Sequence, residues 1–195
     1  QYIDTGAIYR SLAYAMNEKV KLEDHGGIKN ILKDFDVTFK MEDDVNHVFL
    51  NGEDITPFIR TEKVSMLASS VSALPFVRES LLDMQKRFAR EGGVVMEGRD
   101  IGTVIIPDAE LKVFLTASPV KRAARRLSEL HEKGINASFE ELVKEIMKRD
   151  EQDSNRLAAS LKKADDCVLV DNSDIDLNET AELIVKYALE KERKD

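Results

Sequence analysis

Glu97-Gly98-Arg99-Asp100 sets a guanidinium beside a carboxylate directly after the apolar run Val94-Val95-Met96. Such a pair can hold an anion with one member and a hydrogen-bond donor with the other. Arg149, Asp153 and Arg156 are spaced by four and then three residues. On a helix those spacings place all three on one face. Two guanidiniums with a carboxylate between them suit a sugar phosphate, the arginines gripping oxygens and the aspartate accepting from a hydroxyl. Asp4-Thr5-Gly6 opens a helical pattern in which Arg10 lies one turn in, and helix starts of this kind hold anions. Ser69 lies in a later helical pattern, and Arg78 follows Pro75 near the beginning of the next. Each feature also has a plainer reading. Arg99 and Asp100 can close a strand end as a loop ion pair, and Thr5 can be an ordinary cap. Arg10 and Arg78 can be solvated, and Ser69 can bond its own backbone. The Arg149–Arg156 face can be surface salt bridging worth roughly a few tenths of a kcal/mol.

The elements that must position these residues follow from periodicity. Tyr2-Ile3 reads as the tail of a strand, and Ala7 to Lys19 as a helix with Ile8, Leu12, Ala15 and Met16 inward. Ile28, Ile31, Leu32 and Phe35 mark a second, short helix. Residues 36–60 change period: apolar and polar residues alternate, and Asn51-Gly52 is a hairpin-turn signal. This predicts a small antiparallel insert. Thr61 caps a helix, and Pro75 starts the next at its first turn. Val94-Val95-Met96 reads as a strand buried on both faces of a parallel sheet, with its polar carboxyl end where ligands of open α/β sheets sit. Leu111–Leu115 and Cys167–Val170 are further strands. Between them lie helices opened by Ser118-Pro119 and by the capping box Ser138-Phe139-Glu140-Glu141. Asp176 to Glu179 caps the closing helix, with Leu183, Ile184, Tyr187 and Ala188 inward. The alternation predicts an α/β fold: a parallel sheet with helices on both faces, in a single domain.

Composition removes several function classes. The 195 residues carry a net charge of -8, against a general nucleic-acid binder. With 43% hydrophobic and 34% charged residues the chain can bury a core. A single cysteine, Cys167, builds no disulfide framework and fits the cytoplasm. No apolar run approaches the ~20 residues of a membrane span, so no membrane partner is expected. His25, His47 and His131 show no metal-ligand spacing and read as surface residues.

Taken together, the motifs resemble one family: bacterial cytidylate kinase, a nucleoside monophosphate kinase. The matching residues are Asp4-Thr5-Gly6-Ala7-Ile8-Tyr9-Arg10, Ser69, Arg78, Glu97-Gly98-Arg99-Asp100-Ile101-Gly102-Thr103-Val104, Pro107-Asp108-Ala109, Arg149-Asp150, Asp153 and Asn155-Arg156. The resemblance implies a fold of the phosphate-loop nucleoside monophosphate kinase type, with 36–60 as a CMP-binding insert and 120–160 as a helical lid. It implies phosphoryl transfer from ATP to CMP or dCMP, with Mg²⁺ accompanying ATP, in a cytoplasmic monomer. By the same resemblance Thr5, Arg10, Arg99 and Arg156 grip the CMP phosphate. Ser69, Arg78 and Asp100 read cytosine, and Arg149 and Asp153 contact the ribose. Arg99, Arg149 and Arg156 also carry the catalytic charge neutralisation. Asp100 suits its role, because a carboxylate only accepts and cytosine offers an exocyclic amine. Two other readings stay open: a non-catalytic nucleotide-binding module of the same fold, and a relative acting on UMP or dTMP.

The resemblance breaks at one point. The family's phosphate loop, G-x-x-x-x-G-K-[ST], is nowhere in the chain, so no residue is assigned to ATP. The expectation is that ~20–25 further residues lie upstream, since a missing inner strand would strand backbone groups and open the core. On that expectation the chain as written holds CMP poorly and transfers phosphate hardly at all. Which of Arg122, Arg125 and Arg126 faces ATP is left open, with solvent exposure expected for two of them.

Overall fold

The computed structural model describes residues 1–16, 19–155 and 161–193, which fold as two compact units, Gln1–Ile101 and Gly102–Asp195. The expected α/β class is present, with its parallel pairing divided between two ladders, one in each unit.

The first unit begins with strand β1 (Tyr2–Asp4), which runs without a loop into helix α1 (Thr5–Met16). Helix α2 (His25–Lys33) follows, its Asp24 cap accepting from the Gly27 amide. Strands β2 (Val37–Glu42), β3 (Val45–Leu50) and β4 (Glu53–Asp54) form the antiparallel sheet foreseen for 36–60. Asn51 and Gly52 have φ of 50° and 85°, the left-handed pair that a two-residue hairpin turn demands. A second turn joins β2 to β3 through Asp43 and Asp44, both at positive φ. Helices α3 (Glu62–Val71) and α4 (Pro75–Arg90) lead to β5 (Val95–Glu97), which pairs in parallel with β1.

One core serves this whole unit. Ile3, Ile8, Leu12 and Met16 of β1 and α1 pack in the same buried cluster as Val37, Val48, Ile55 and Ile59 of the antiparallel piece. Phe39 of β2 meets Phe88 of α4 edge-on at 5.5 Å. Truncating such a residue (Leu12→Ala, for instance) costs about 2–5 kcal/mol. The insert is therefore part of the wall that holds α1 in place.

The expectation for β5 needs correction. Val95 is 68% exposed, so the strand is not buried on both faces. Alternation turns Met96 inward and Val95 outward, and among the described residues β5 has one strand neighbour, β1. A short run of apolar residues could not distinguish these cases.

Residues Ile101–Ile105 make a π-helical turn at the point in the chain where the first unit gives way to the second unit. Strand β6 (Val113–Thr116) pairs in parallel with β7 (Val168–Asp171), and helices α5 (Pro119–Glu132), α6 (Phe139–Asn155) and α7 (Leu177–Glu192) complete it. Ser118 caps α5 by accepting from the Lys121 amide, and Asp176 and Glu179 form a full capping box on α7. The box expected on α6 is half made. Ser138 accepts from the Glu141 amide and donates its hydroxyl to the Glu140 carboxylate, and among the described residues Glu141 makes no return bond to the Ser138 amide.

Candidate functional site

The first cluster is built by the parallel pairing of β1 with β5, whose register sets Asp4 opposite Glu97. Segments 92 residues apart thus end side by side at one strand edge, where β1 becomes α1 and β5 becomes the 98–100 loop. Asp4 is the hub. Its Oδ1 accepts from the Ala7 amide at 3.0 Å, closing the first turn of α1, and its Oδ2 accepts from Arg10 Nη2 at 2.5 Å. Arg60 Nη2 stands 3.9 Å from the same oxygen. The cap of α1 is therefore Asp4 and not Thr5, and the helix begins two residues earlier than expected. Thr5 instead donates its hydroxyl to the Glu97 carbonyl at 2.7 Å, tying the helix start to β5. Gly98 lies against that hydroxyl so closely that a Cβ would collide with it.

The second cluster stands where α4 faces the 98–100 loop. Arg78 donates from Nη2 to Asp100 Oδ2 at 2.5 Å and from Nη1 to the Ser72 carbonyl at 3.2 Å. Its guanidinium also lies 5.5 Å from the centre of the Tyr9 ring, a cation–π stack that links it to α1. The Arg78 and Asp100 side chains are only 11% and 6% exposed. A buried ion pair gains little net stability, because desolvation offsets the Coulomb attraction. Its value here is a fixed carboxylate with a fixed guanidinium beside it. Ser69 is half-buried on α3, and its carbonyl accepts from the Ser72 hydroxyl at 2.9 Å. Arg99 is exposed on the same loop as Asp100.

An arginine–carboxylate pair at a strand end is open to many ligands, and comparison with known proteins narrows the choice. The family profile described as cytidylate kinase matches residues 1–190. The chain belongs to the cytidylate kinase family. It is 45% identical over 179 residues to the cytidylate kinase of Carboxydothermus hydrogenoformans, covering 91% of this chain and 81% of the relative. It is 44% identical to that of Streptococcus mutans, covering 96% and 84%, and 41% identical to that of a Geobacter species, covering 97% and 82%.

In this cytidylate kinase family member the remaining expected site residues belong to the second unit. Arg149 and Asp153 share one face of α6, with Arg149 exposed and Asp153 buried at 3% exposure. Arg156 lies outside the described residues. Arg122 of α5 makes a two-pronged pair with Asp150 of α6, and that carboxylate holds the guanidinium's pKa above its ordinary value. Arg125 donates to the side chain and backbone carbonyl of Asn172, while Arg126 meets Glu129 at 3.3 Å. Burial and the neighbouring Glu97 push the Tyr2 hydroxyl well above the usual tyrosine range, so it stays neutral beside the first cluster.

Sequence reasoning gave no role to Asp4, Tyr9, Ser72 or Asp150. For Asp4 a signal was available, an acidic residue directly before a helical run. For Tyr9, Ser72 and Asp150 there was none, because each acts through a tertiary partner. Among the described residues no helix is long and apolar enough to cross a membrane.

Proposed function

We propose that this cytidylate kinase family member transfers the terminal phosphoryl group of ATP to CMP and dCMP, giving CDP and dCDP. Family membership supports the reaction. The Arg78–Asp100 pair supports the base, and it is the observation on which the choice of cytosine rests. An ionised carboxylate offers about four acceptor positions, and Arg78 fills one of them. Cytosine presents an amine donor to such a group, whereas uracil would present a second acceptor. A site that leaves a buried polar group unpaired discriminates by up to ~10⁴.

On this reading Thr5, Arg10, Arg99 and Arg156 hold the CMP phosphate, Ser69, Arg78 and Asp100 read the base, and Arg149 and Asp153 contact the ribose. The attacking atom is a phosphate oxygen that is already anionic, so no general base is needed. Positioning and charge neutralisation carry the step, with Arg99, Arg149 and Arg156 supplying positive charge. Residues 120–160 act as the lid that excludes water. Mg²⁺ accompanying ATP would supply charge screening at the transferring phosphoryl group. Among the described residues no group of three or more His, Cys, Asp or Glu side chains stands together as a metal site. The protein acts as a cytoplasmic monomer.

The test offers the intact protein CMP, dCMP, UMP, AMP and dTMP with Mg-ATP. Turnover of CMP and dCMP far above the others is expected. Comparable turnover of UMP or dTMP would overturn the base assignment. Tight CMP binding without turnover would instead favour the non-catalytic module.

A further inference from the structure

Arg10 needs something to aim it, and the structure offers one group. Among the described residues the Arg10 guanidinium has a single hydrogen-bond partner, Asp4, while its Nε–H is buried without an acceptor. Asp4 is itself buried at 6% exposure and divides its two oxygens between two jobs. Oδ1 caps α1 through the Ala7 amide, and Oδ2 takes Arg10 at 2.5 Å with Arg60 standing 3.9 Å away. Gly6 completes the arrangement. A Cβ there would come within 3.0 Å of Asp4 Oδ1 and 3.1 Å of Arg10 Nη1, so the pair closes over a residue with no side chain.

A cap alone does not need this. Serine and asparagine cap as well as aspartate does. What only the carboxylate supplies is a charge-assisted bond that fixes a guanidinium plane. We propose that Asp4 is a positioning residue for the monophosphate substrate. It does not touch the nucleotide. It holds the Arg10 guanidinium in its binding orientation and, as a shared counter-ion, keeps Arg60 at the same strand end. This rests on the reading of Arg10 as a phosphate ligand.

Asp4→Asn separates the two jobs, because an amide oxygen still accepts from the Ala7 amide but carries no charge for Arg10. Asp4→Ser does the same with a different shape, should the first variant fold poorly. The expected result is a KM for CMP raised about tenfold, with kcat and the KM for ATP within about threefold of wild type. Added to Arg10→Ala, Asp4→Asn should raise the KM for CMP no further. A wild-type KM for CMP in both Asp4 variants, with Arg10→Ala impaired, overturns the proposal and leaves Asp4 a cap. Additive effects in the double variant overturn it too, since Asp4 would then act by another route. If Arg10→Ala itself leaves the KM for CMP unchanged, the phosphate reading of Arg10 has failed, and the role given to Asp4 falls with it.

Discussion

Arg78 and Asp100, 22 residues apart in the chain, form an ion pair of 2.5 Å between a helix start and a strand-end loop, with both side chains nearly shut off from water. Removing Asp100 leaves Arg78 as a buried charge without its carboxylate, which costs about 3–5 kcal/mol. Asp100→Ala is therefore expected to lower the urea midpoint markedly. Asp100→Asn, which keeps an acceptor for Arg78, should lower it less. Arg99→Ala, at an exposed position, should stay within about 0.5 kcal/mol of wild type. Their kinetics should differ in kind. Arg99→Ala lowers kcat/KM for every monophosphate alike, whereas Asp100→Asn narrows the ratio of kcat/KM between CMP and UMP. Equal losses on both substrates for Asp100→Asn would contradict the assignment.

Gly98→Ala tests the junction of β5 with α1. The new Cβ would meet the Thr5 hydroxyl and lie 2.8 Å from Ile101 Cδ1, so the Thr5–Glu97 bond must give way. Overpacking of this kind costs about 1–3 kcal/mol. Urea unfolding should show that loss, and Thr5→Val combined with Gly98→Ala should recover little of it, since the methyl that replaces the hydroxyl still occupies the space. A wild-type midpoint for Gly98→Ala would mean the loop can shift away without penalty.

Asp54 predicts a pH effect in the antiparallel sheet. Hydrogen bonds from the Thr56 hydroxyl and amide, with His47 beside it, hold its pKa down at about 2. A depressed carboxylate pKa means the folded state binds the proton less readily than the unfolded chain. The stabilisation is then fully present above the unfolded value of about 3.9 and is lost as pH falls toward the folded value. Across pH 4 to 2 the wild type should lose urea resistance more steeply than Asp54→Asn. Parallel curves would show that Asp54 contributes nothing in this window.

The Arg122–Asp150 pair ties α5 to α6, with both side chains about one-third exposed. Solvent screens such a pair, so Asp150→Asn should cost about 1 kcal/mol or less in global stability. Its effect should be local: faster amide exchange across 119–155, while α7, held by its own capping box, keeps its protection. Uniform acceleration over the second unit would argue against a local tether.

Much of this architecture was legible because local chemistry dictated it. Asn51-Gly52, Thr61, Pro75 and Ser118-Pro119 each act within a few residues, and each turn or cap stands where the sequence puts it. The failures share a cause. Three apolar residues carry no record of how many strands flank them, so the sequence alone makes Val95 look doubly buried. Thr5 looks like the cap in sequence because the competing acceptor for its hydroxyl, the Glu97 carbonyl, comes from 92 residues away. The same blindness hid Tyr9 beneath Arg78 and Asp150 opposite Arg122, whose partners are set by packing rather than by spacing.

Helix α1 carries Thr5 at its first residue and Tyr9, the platform under Arg78, four residues on. That interval is about 6 Å along the axis of a rigid rod. On the proposed reading the rod is a gauge: the anion anchor and the support of the base-facing pair cannot drift apart or together. A ligand whose ring and phosphate are set at a different separation fails at one end however well it fits the other, so length is screened as well as the identity of the base.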